Sequence, residues 1–228
     1  MKVELKSITP NAEVNIVEIA RVSSSRTDKS EKPEGLINYL IKHKHWSPFQ
    51  HSYMTVEIVT SKAIGIQLLR HLSFTFQEFS QRYARVEGIE MIEFRKQAEK
   101  NRQSSTDVVG QIHQVNDEYG TTFRIDMDEF DNASITYWLE LVAKNLQNTL
   151  NLYNEGLKLG IAKECARMVL PMATETTLYM TGSVRSWIHF LAIRDDEHAQ
   201  KEVQLIAKDI KKLFVKELPI ISRALGYE

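Results

Sequence analysis

The chain has 228 residues, 43% of them hydrophobic and 26% charged, which excludes disordered, collagen-like and fibrous classes. With 29 Lys and Arg against 30 Asp and Glu the net charge is −1. That argues against a nucleic-acid-coating protein, whose affinity comes from a basic face that releases counterions. One cysteine, Cys165, excludes an intrachain disulfide and a cysteine-rich zinc site, and suits a reducing cytoplasm. The first residues mix charges and lack a signal peptide's apolar run, and no stretch approaches the roughly 18 apolar residues of a membrane span.

In chain order, residues 2–6 and 14–19 alternate as strands do. Leu36–Lys44 places Leu36, Ile37, Leu40 and Ile41 on one helical stripe, and Pro48 breaks the chain before a β-rich run at Tyr53–Val59. Ala63–Leu72 reads as helix and Met91–Phe94 as strand. Residues 96–133 are the most polar part, and the pattern predicts an irregular, mobile excursion with little helix. From Ser134 the stripe Ile135, Trp138, Val142, Leu146, Leu150, Tyr153 and Leu157 predicts a long helix stopped by Gly160. A helix at Ile161–Leu170, a strand at Thr174–Met180, and helices at Val184–Ile193 and His198–Phe214 follow. Strands early and helices late predict an α+β fold in a single domain over 1–228.

Four segments carry polar groups where a core would take apolar ones. The densest runs from Gln67 through Arg70, His71, Leu72, Gln77, Glu78, Ser80 and Gln81 to Arg82. On a continuing helix Gln67, Arg70 and His71 share a face; on an extended stretch Glu78, Ser80 and Arg82 share a side. Guanidiniums suit a phosphate or the edge of a uracil-like ring; the alternative is a surface Glu78–Arg82 ion pair. His43, His45 and His51 are close enough to suggest metal ligands, but no carboxylate sits at ligand spacing, so solvated or capping histidines are the simpler account. Arg167 before Pro171 has a simple account, since an Arg in a helix's last turn complements the helix dipole, and Cys165 reads as a small core residue. Arg185, His189 and Arg194 stand among apolar neighbours at near-helical spacing. No Rossmann or Walker glycine loop is present, nor a nucleophile elbow.

These residues resemble the flavin-dependent thymidylate synthases, a family marked by Arg-His-Arg, seven residues, then Ser. Arg70-His71-Leu72, seven residues and Ser80 match with one substitution. Ala20-Arg21-Val22-Ser23, the block from Tyr39 to His51 with Gln50 in place of Glu, Arg167–Pro171, Arg185-Ser186 and Arg194 to Gln200 are similar to further family blocks in the same order. The resemblance implies a mixed α/β domain with a central antiparallel-rich sheet and long helices, assembled as a homotetramer whose active sites are shared between subunits. It implies reductive methylation of dUMP to dTMP, with methylenetetrahydrofolate as carbon donor and NADPH as reductant through FAD, and no nucleic-acid or membrane partner and no metal. By position it assigns Ser23, His51, Arg70, His71, Leu72, Gln77, Glu78, Ser183, Arg185 and His189 to FAD. Gln67, Arg70, Glu78, Ser80, Gln81, Arg82, Arg167 and Arg194 go to dUMP, with Arg167, Ser80, Arg82 and His51 catalytic.

Two departures stand out. Leu72 replaces the motif's second Arg, and Arg95 or Arg102 could supply that cation from another backbone position. His189 stands where some relatives carry Asn and adds a titratable proton. The alternative to an active enzyme is a catalytically impaired flavin- or nucleotide-binding relative.

Overall fold

The computed structural model describes residues 1–22, 33–101, 104–118, 120–127 and 132–227. Its strands are β1 (Lys2–Ile8), β2 (Tyr53–Ser61), β3 (Phe74–Glu78), β4 (Ile92–Gln97), β5 (Ser105–Asp117), β6 (Gly120–Asp126) and β7 (Glu175–Ser183). Its helices are α1 (Ala12–Ala20), α2 (Pro33–Lys42), α3 (Lys62–Leu69), α4 (Ala133–Lys158), α5 (Lys163–Ala166), α6 (Val184–Arg194), α7 (Lys201–Glu217) and α8 (Pro219–Leu225). One sheet has the order β1-β2-β7-β3, and β4-β5-β6 form a second, antiparallel one. The mixed α/β expectation with antiparallel strands holds.

The chain forms two compact units. One comprises Met1, Val59–Ile66 and Glu78–Thr177; the other comprises Lys2–Ile58, Gln67–Gln77 and Leu178–Glu228. In the first, α4 lies on the β5–β6 hairpin. Leu139, Ala143, Leu146 and Leu150, at three-and-four spacing, are buried with Ile89 and Ile112. Asn132 caps the helix by accepting from the backbone N–H groups of Ser134 (3.1 Å) and Ile135 (3.3 Å). Gly110 lets helix and strand approach, since a Cβ there would come within 2.6 Å of Leu139 Cδ1. Gly160 ends the run with φ +82°. The buried stripe is rotated from the predicted one, and Trp138 stays 47% exposed, its ring edge against Phe94.

In the second unit α6 packs with α7, α7 with β1, and α2 with α8. Trp187, Phe190 and Leu191 of α6 are buried, as are Val203, Ile206, Ala207, Ile210 and Phe214 of α7. The Trp187 indole N–H donates to the Met54 carbonyl at 3.0 Å, which satisfies the polar atom of a fully buried side chain. Phe74 lies 4.6 Å from the Trp187 ring and covers Gly182.

Four sequence expectations are corrected. Residues 14–19 lie in α1, not a strand: Ala12, Ile16 and Val17 bury one helical face while Val14 is exposed. The 96–133 stretch, expected to be an irregular excursion, holds most of the β4-β5-β6 sheet. The predicted 161–170 helix is the single turn α5 followed by a 3-10 turn at Arg167–Val169. Cys165 is exposed rather than packed in a core.

Gly182 tests the packing beneath α6. A Cβ there would overlap the Phe74 ring, itself held by Trp187 and Phe190. Gly182→Ala is expected to lower unfolding free energy by about 1–3 kcal/mol in urea denaturation, whereas Gly35→Ala, on the exposed face of α2 where a Cβ meets nothing within 4 Å, should not destabilise and serves as its comparison.

Candidate functional site

In the second unit, Ser183 caps α6. Its hydroxyl accepts from the Ser186 N–H at 3.2 Å and lies 3.0 Å from the Ser186 hydroxyl, which donates to the Ser73 carbonyl at 3.1 Å. With Trp187, Phe190 and Leu191 turned inward, helical periodicity turns Arg185, Ser186, His189 and Ala192 outward. This stripe, with Ile188 beneath, borders a groove of ≈ 540 Å³ whose other walls are Trp46, Gln50 and Ser73.

At the end of the same helix, Arg194 Nε donates to His71 Nε2 at 3.0 Å. A guanidinium has no acceptor, so the His71 nitrogen must carry its lone pair and the imidazole is neutral with its proton on Nδ1. Partial burial, then the charges of Arg194 and His189, push the His71 pKa down to about 4. Its ring meets Phe190 edge-on at 5.0 Å and Phe74 at 6.3 Å. Gln67 donates to the side-chain oxygen of Gln200. Arg70 is exposed and meets no described partner, Gln77 is exposed, and Leu72 is 95% exposed. His51 follows the 3-10 turn Ser47–Gln50, exposed, with its carbonyl accepting from Asn15 (3.3 Å).

In the first unit, Glu78 takes Lys62 Nζ at 2.7 Å and the Thr176 hydroxyl at 2.9 Å. Arg82 and Arg167 meet at one residue. The Glu164 carboxylate accepts from Arg82 Nε (3.2 Å) and Nη2 (3.1 Å), while its backbone carbonyl accepts from Arg167 Nε (3.3 Å). Ser80 is exposed and opens a turn, its carbonyl accepting from the N–H groups of Tyr83 and Ala84; Gln81 is buried.

The sequence reading therefore needs adjusting in detail. Helix α3 ends at Leu69, so Arg70 and His71 lie beyond it and do not share a helical face with Gln67. The extended stretch ends at Glu78, so Ser80 and Arg82 belong to a turn, and the alternative Glu78–Arg82 ion pair is replaced by Glu78–Lys62 and Arg82–Glu164. Arg95, one candidate substitute for the missing motif cation, is held on β4 by Glu93 and the Ser105 hydroxyl, both at 2.8 Å. Ser23 and Arg102 lie outside the described residues. His43 lies tilted against the Tyr39 ring at 4.4 Å and His45 meets it edge-on at 5.9 Å, and among the described residues no three His, Cys, Asp or Glu side chains are placed to hold a metal ion. Trp46, Ser73, Ser186 and Glu164 carry no role in the sequence reading. Trp46, Ser73 and Ser186 fall inside segments that the sequence marks, yet only the fold brings their side chains to the groove or the α6 cap.

Residues 4–220 match the family described as thymidylate synthase complementing protein. A probable flavin-dependent thymidylate synthase of Paramecium bursaria Chlorella virus 1 is 41% identical over 218 residues, covering 95% of this chain and 91% of the relative. The flavin-dependent thymidylate synthase of Synechocystis is 40% identical over 208 residues, 91% of this chain and 86% of the relative. This chain belongs to the flavin-dependent thymidylate synthase family. Among solved structures, the UMP/dUMP methylase PolB of Streptomyces cacaoi, bound with 5-Br dUMP, superposes with a TM-score of 0.75 at 26% identity, covering 99% of this chain and 94% of PolB. The volume of the α6 groove falls within the roughly 300–1,000 Å³ of ligand sites. Its guanidinium, imidazole, hydroxyls and aromatic wall suit a phosphate-linked planar heterocycle.

The His71–Arg194 pair has a pH signature. Unfolded, His71 titrates near 6.5; folded, near 4. Between those values the unfolded chain binds the extra proton, so the stability contributed by neutral His71 is complete above pH 6.5 and lost as pH falls toward 4. Melting temperature measured from pH 7 to 5.5 should fall less in His71→Gln than in the unmodified protein.

Proposed function

We propose that this chain converts dUMP to dTMP, taking one carbon from 5,10-methylenetetrahydrofolate and a hydride from NADPH through FAD, and releasing tetrahydrofolate and NADP+. The observation that supports it most is the family match over residues 4–220, with Gln67, Glu78, Ser80, Arg82, Arg167 and Arg194 all present at their motif positions. The fold resemblance to an enzyme crystallised with 5-Br dUMP supports the same substrate class.

Bound FAD would supply hydride-transfer redox chemistry that no side chain of this protein provides. Arg185 and His189, presented by the Ser183-capped helix, would hold it, with His51, Arg70, His71, Leu72, Gln77 and Glu78 as the further family positions. His71, kept neutral by burial and by Arg194, can donate only through Nδ1. On the substrate side, Gln67, Arg70, Glu78, Ser80, Gln81, Arg82, Arg167 and Arg194 would bind dUMP. Carbon 5 of uracil must become nucleophilic, and guanidiniums fixed near the ring carbonyls stabilise the negative charge that develops there. Arg82 and Arg167 suit this role because Glu164 preorients both. Polarisation of this kind needs no cysteine adduct, so Cys165 has no catalytic part.

We further propose one enzymatic domain over 1–228, a homotetramer with sites shared between subunits, and residence in the cytoplasm. In such an assembly the substrate set need not come from one chain. Among the described residues no helix is long and apolar enough to cross a membrane. Leu72 is the feature that favours a second reading, a flavin-binding relative impaired in turnover, since an exposed leucine stands where the family motif has a cation.

After incubation with FAD and desalting, the protein should keep a flavin absorption spectrum that shifts on adding dUMP, and should form dTMP with both co-substrates. A colourless protein sinks the flavin reading; a coloured protein without dTMP favours the impaired relative. Arg167→Ala should lower kcat/KM for dUMP by roughly 10²–10³-fold while leaving flavin retention unchanged.

A further inference from the structure

We propose that Trp46 is the stacking wall of the α6 groove, packing its indole against a planar nitrogen heterocycle of the bound dinucleotide. The inference rests on the FAD reading above and adds a residue to it that neither the family motif nor the sequence reading supplies.

Half a dinucleotide presents two things to a protein: a flat ring to be covered and a phosphate to be neutralised. The groove offers one of each. Arg185 and His189 provide polar and cationic donors along one side, and Trp46 is the only indole or phenyl ring among the described lining residues. Ile188 and Ala192 give the apolar floor that a heterocycle needs between them.

Trp46 is also held in place before any ligand arrives. It immediately precedes the Ser47–Gln50 turn, whose Pro48 and Phe49 are buried, and its carbonyl accepts from the Phe49 N–H at 3.2 Å. Its ring makes a tilted edge contact with Phe49 at 5.6 Å. A large ring fixed in this way loses little side-chain entropy on binding, which is how tryptophan contributes affinity in recognition sites. A core role does not account for it: Trp46 remains half-buried, whereas Trp187 is sealed, with its indole N–H on the Met54 carbonyl.

Tryptophan emission of the full-length protein tests the contact, read during FAD titration with correction for flavin absorption. The quench should saturate in the unmodified protein and be reduced in Trp46→Phe, which keeps a stacking ring, leaves the emission of Trp187 and Trp138 and should bind FAD within a few-fold. Trp46→Ala should weaken FAD binding on the order of tenfold or more, as loss of a base–aromatic stack does elsewhere. Titration with FMN and with ADP identifies the ring: a quench by FMN that diminishes in Trp46→Phe places isoalloxazine on Trp46, and a quench by ADP that does so places adenine there. An undiminished quench in Trp46→Phe, or unchanged affinity in a folded Trp46→Ala, overturns the proposal, and if Trp46→Ala fails to fold the Trp46→Phe emission decides. Retained flavin with a silent Trp46 overturns this inference alone. A protein that retains no flavin overturns both this inference and the flavin reading.

Discussion

The burial of Trp187 fixes the chemistry of the second unit. Its ring has no solvent exposure, its N–H is satisfied by Met54, and Phe74 and Phe190 pack edge-on against it at 4.6 and 5.7 Å. With one face of α6 committed to that cluster, the 3.6-residue period leaves the helix no choice about which residues face out: Arg185 and His189 must. The same cluster reaches His71 through Phe190 and Phe74, so the imidazole rests on a rigid aromatic edge rather than a mobile loop. Gly182 belongs to this constraint because only a residue without a side chain leaves room for Phe74.

The charged groups divide into two kinds. Arg194 and His71 form a partly buried pair in which burial and then the cation keep the imidazole neutral, and the hydrogen bond from Arg194 fixes its tautomer and leaves one donor position. Arg82 and Glu164 are 66% and 53% exposed, in a setting where ion pairs contribute roughly 0–1 kcal/mol. Such a pair orders a guanidinium cheaply and gives it up easily. The two arginines thus differ in kind: Arg194 sits in a partly buried pair with His71, and Arg82 stays exposed beside Glu164.

Much of the architecture was legible in the sequence. The long helix, its glycine stop, the β-rich runs at 53–59 and 174–180 and the helix carrying Arg185 and His189 all stand near their expected places, because strong periodicity survives whatever the chain packs against. Where the reading failed, the signal was divided. Strands β5 and β6 cover α4 with one face only, so Ile112, Phe123 and Ile125 are interleaved with His113, Gln114, Arg124 and Asp126, and the whole stretch looked like a polar loop. In α1, Val14-Asn15-Ile16 alternates by chance, while the buried spacing from Ala12 to Ile16 is helical.

The site shows the same division between local and tertiary information. Sequence by itself determined which residues are present: the motif around Arg70, His71 and Ser80, the later arginines, and the absence of a nucleophile signature or dinucleotide glycine loop. Those properties are local in the chain, so spacing and residue type suffice to read them. Only the tertiary structure decided that Arg194 fixes the tautomer of His71 across 123 positions, that Arg82 shares Glu164 with Arg167, and that Trp46 closes a groove opposite α6. Each of these depends on side chains distant in sequence being brought within a few ångströms by the burial of apolar surface elsewhere, and no local pattern encodes that distance.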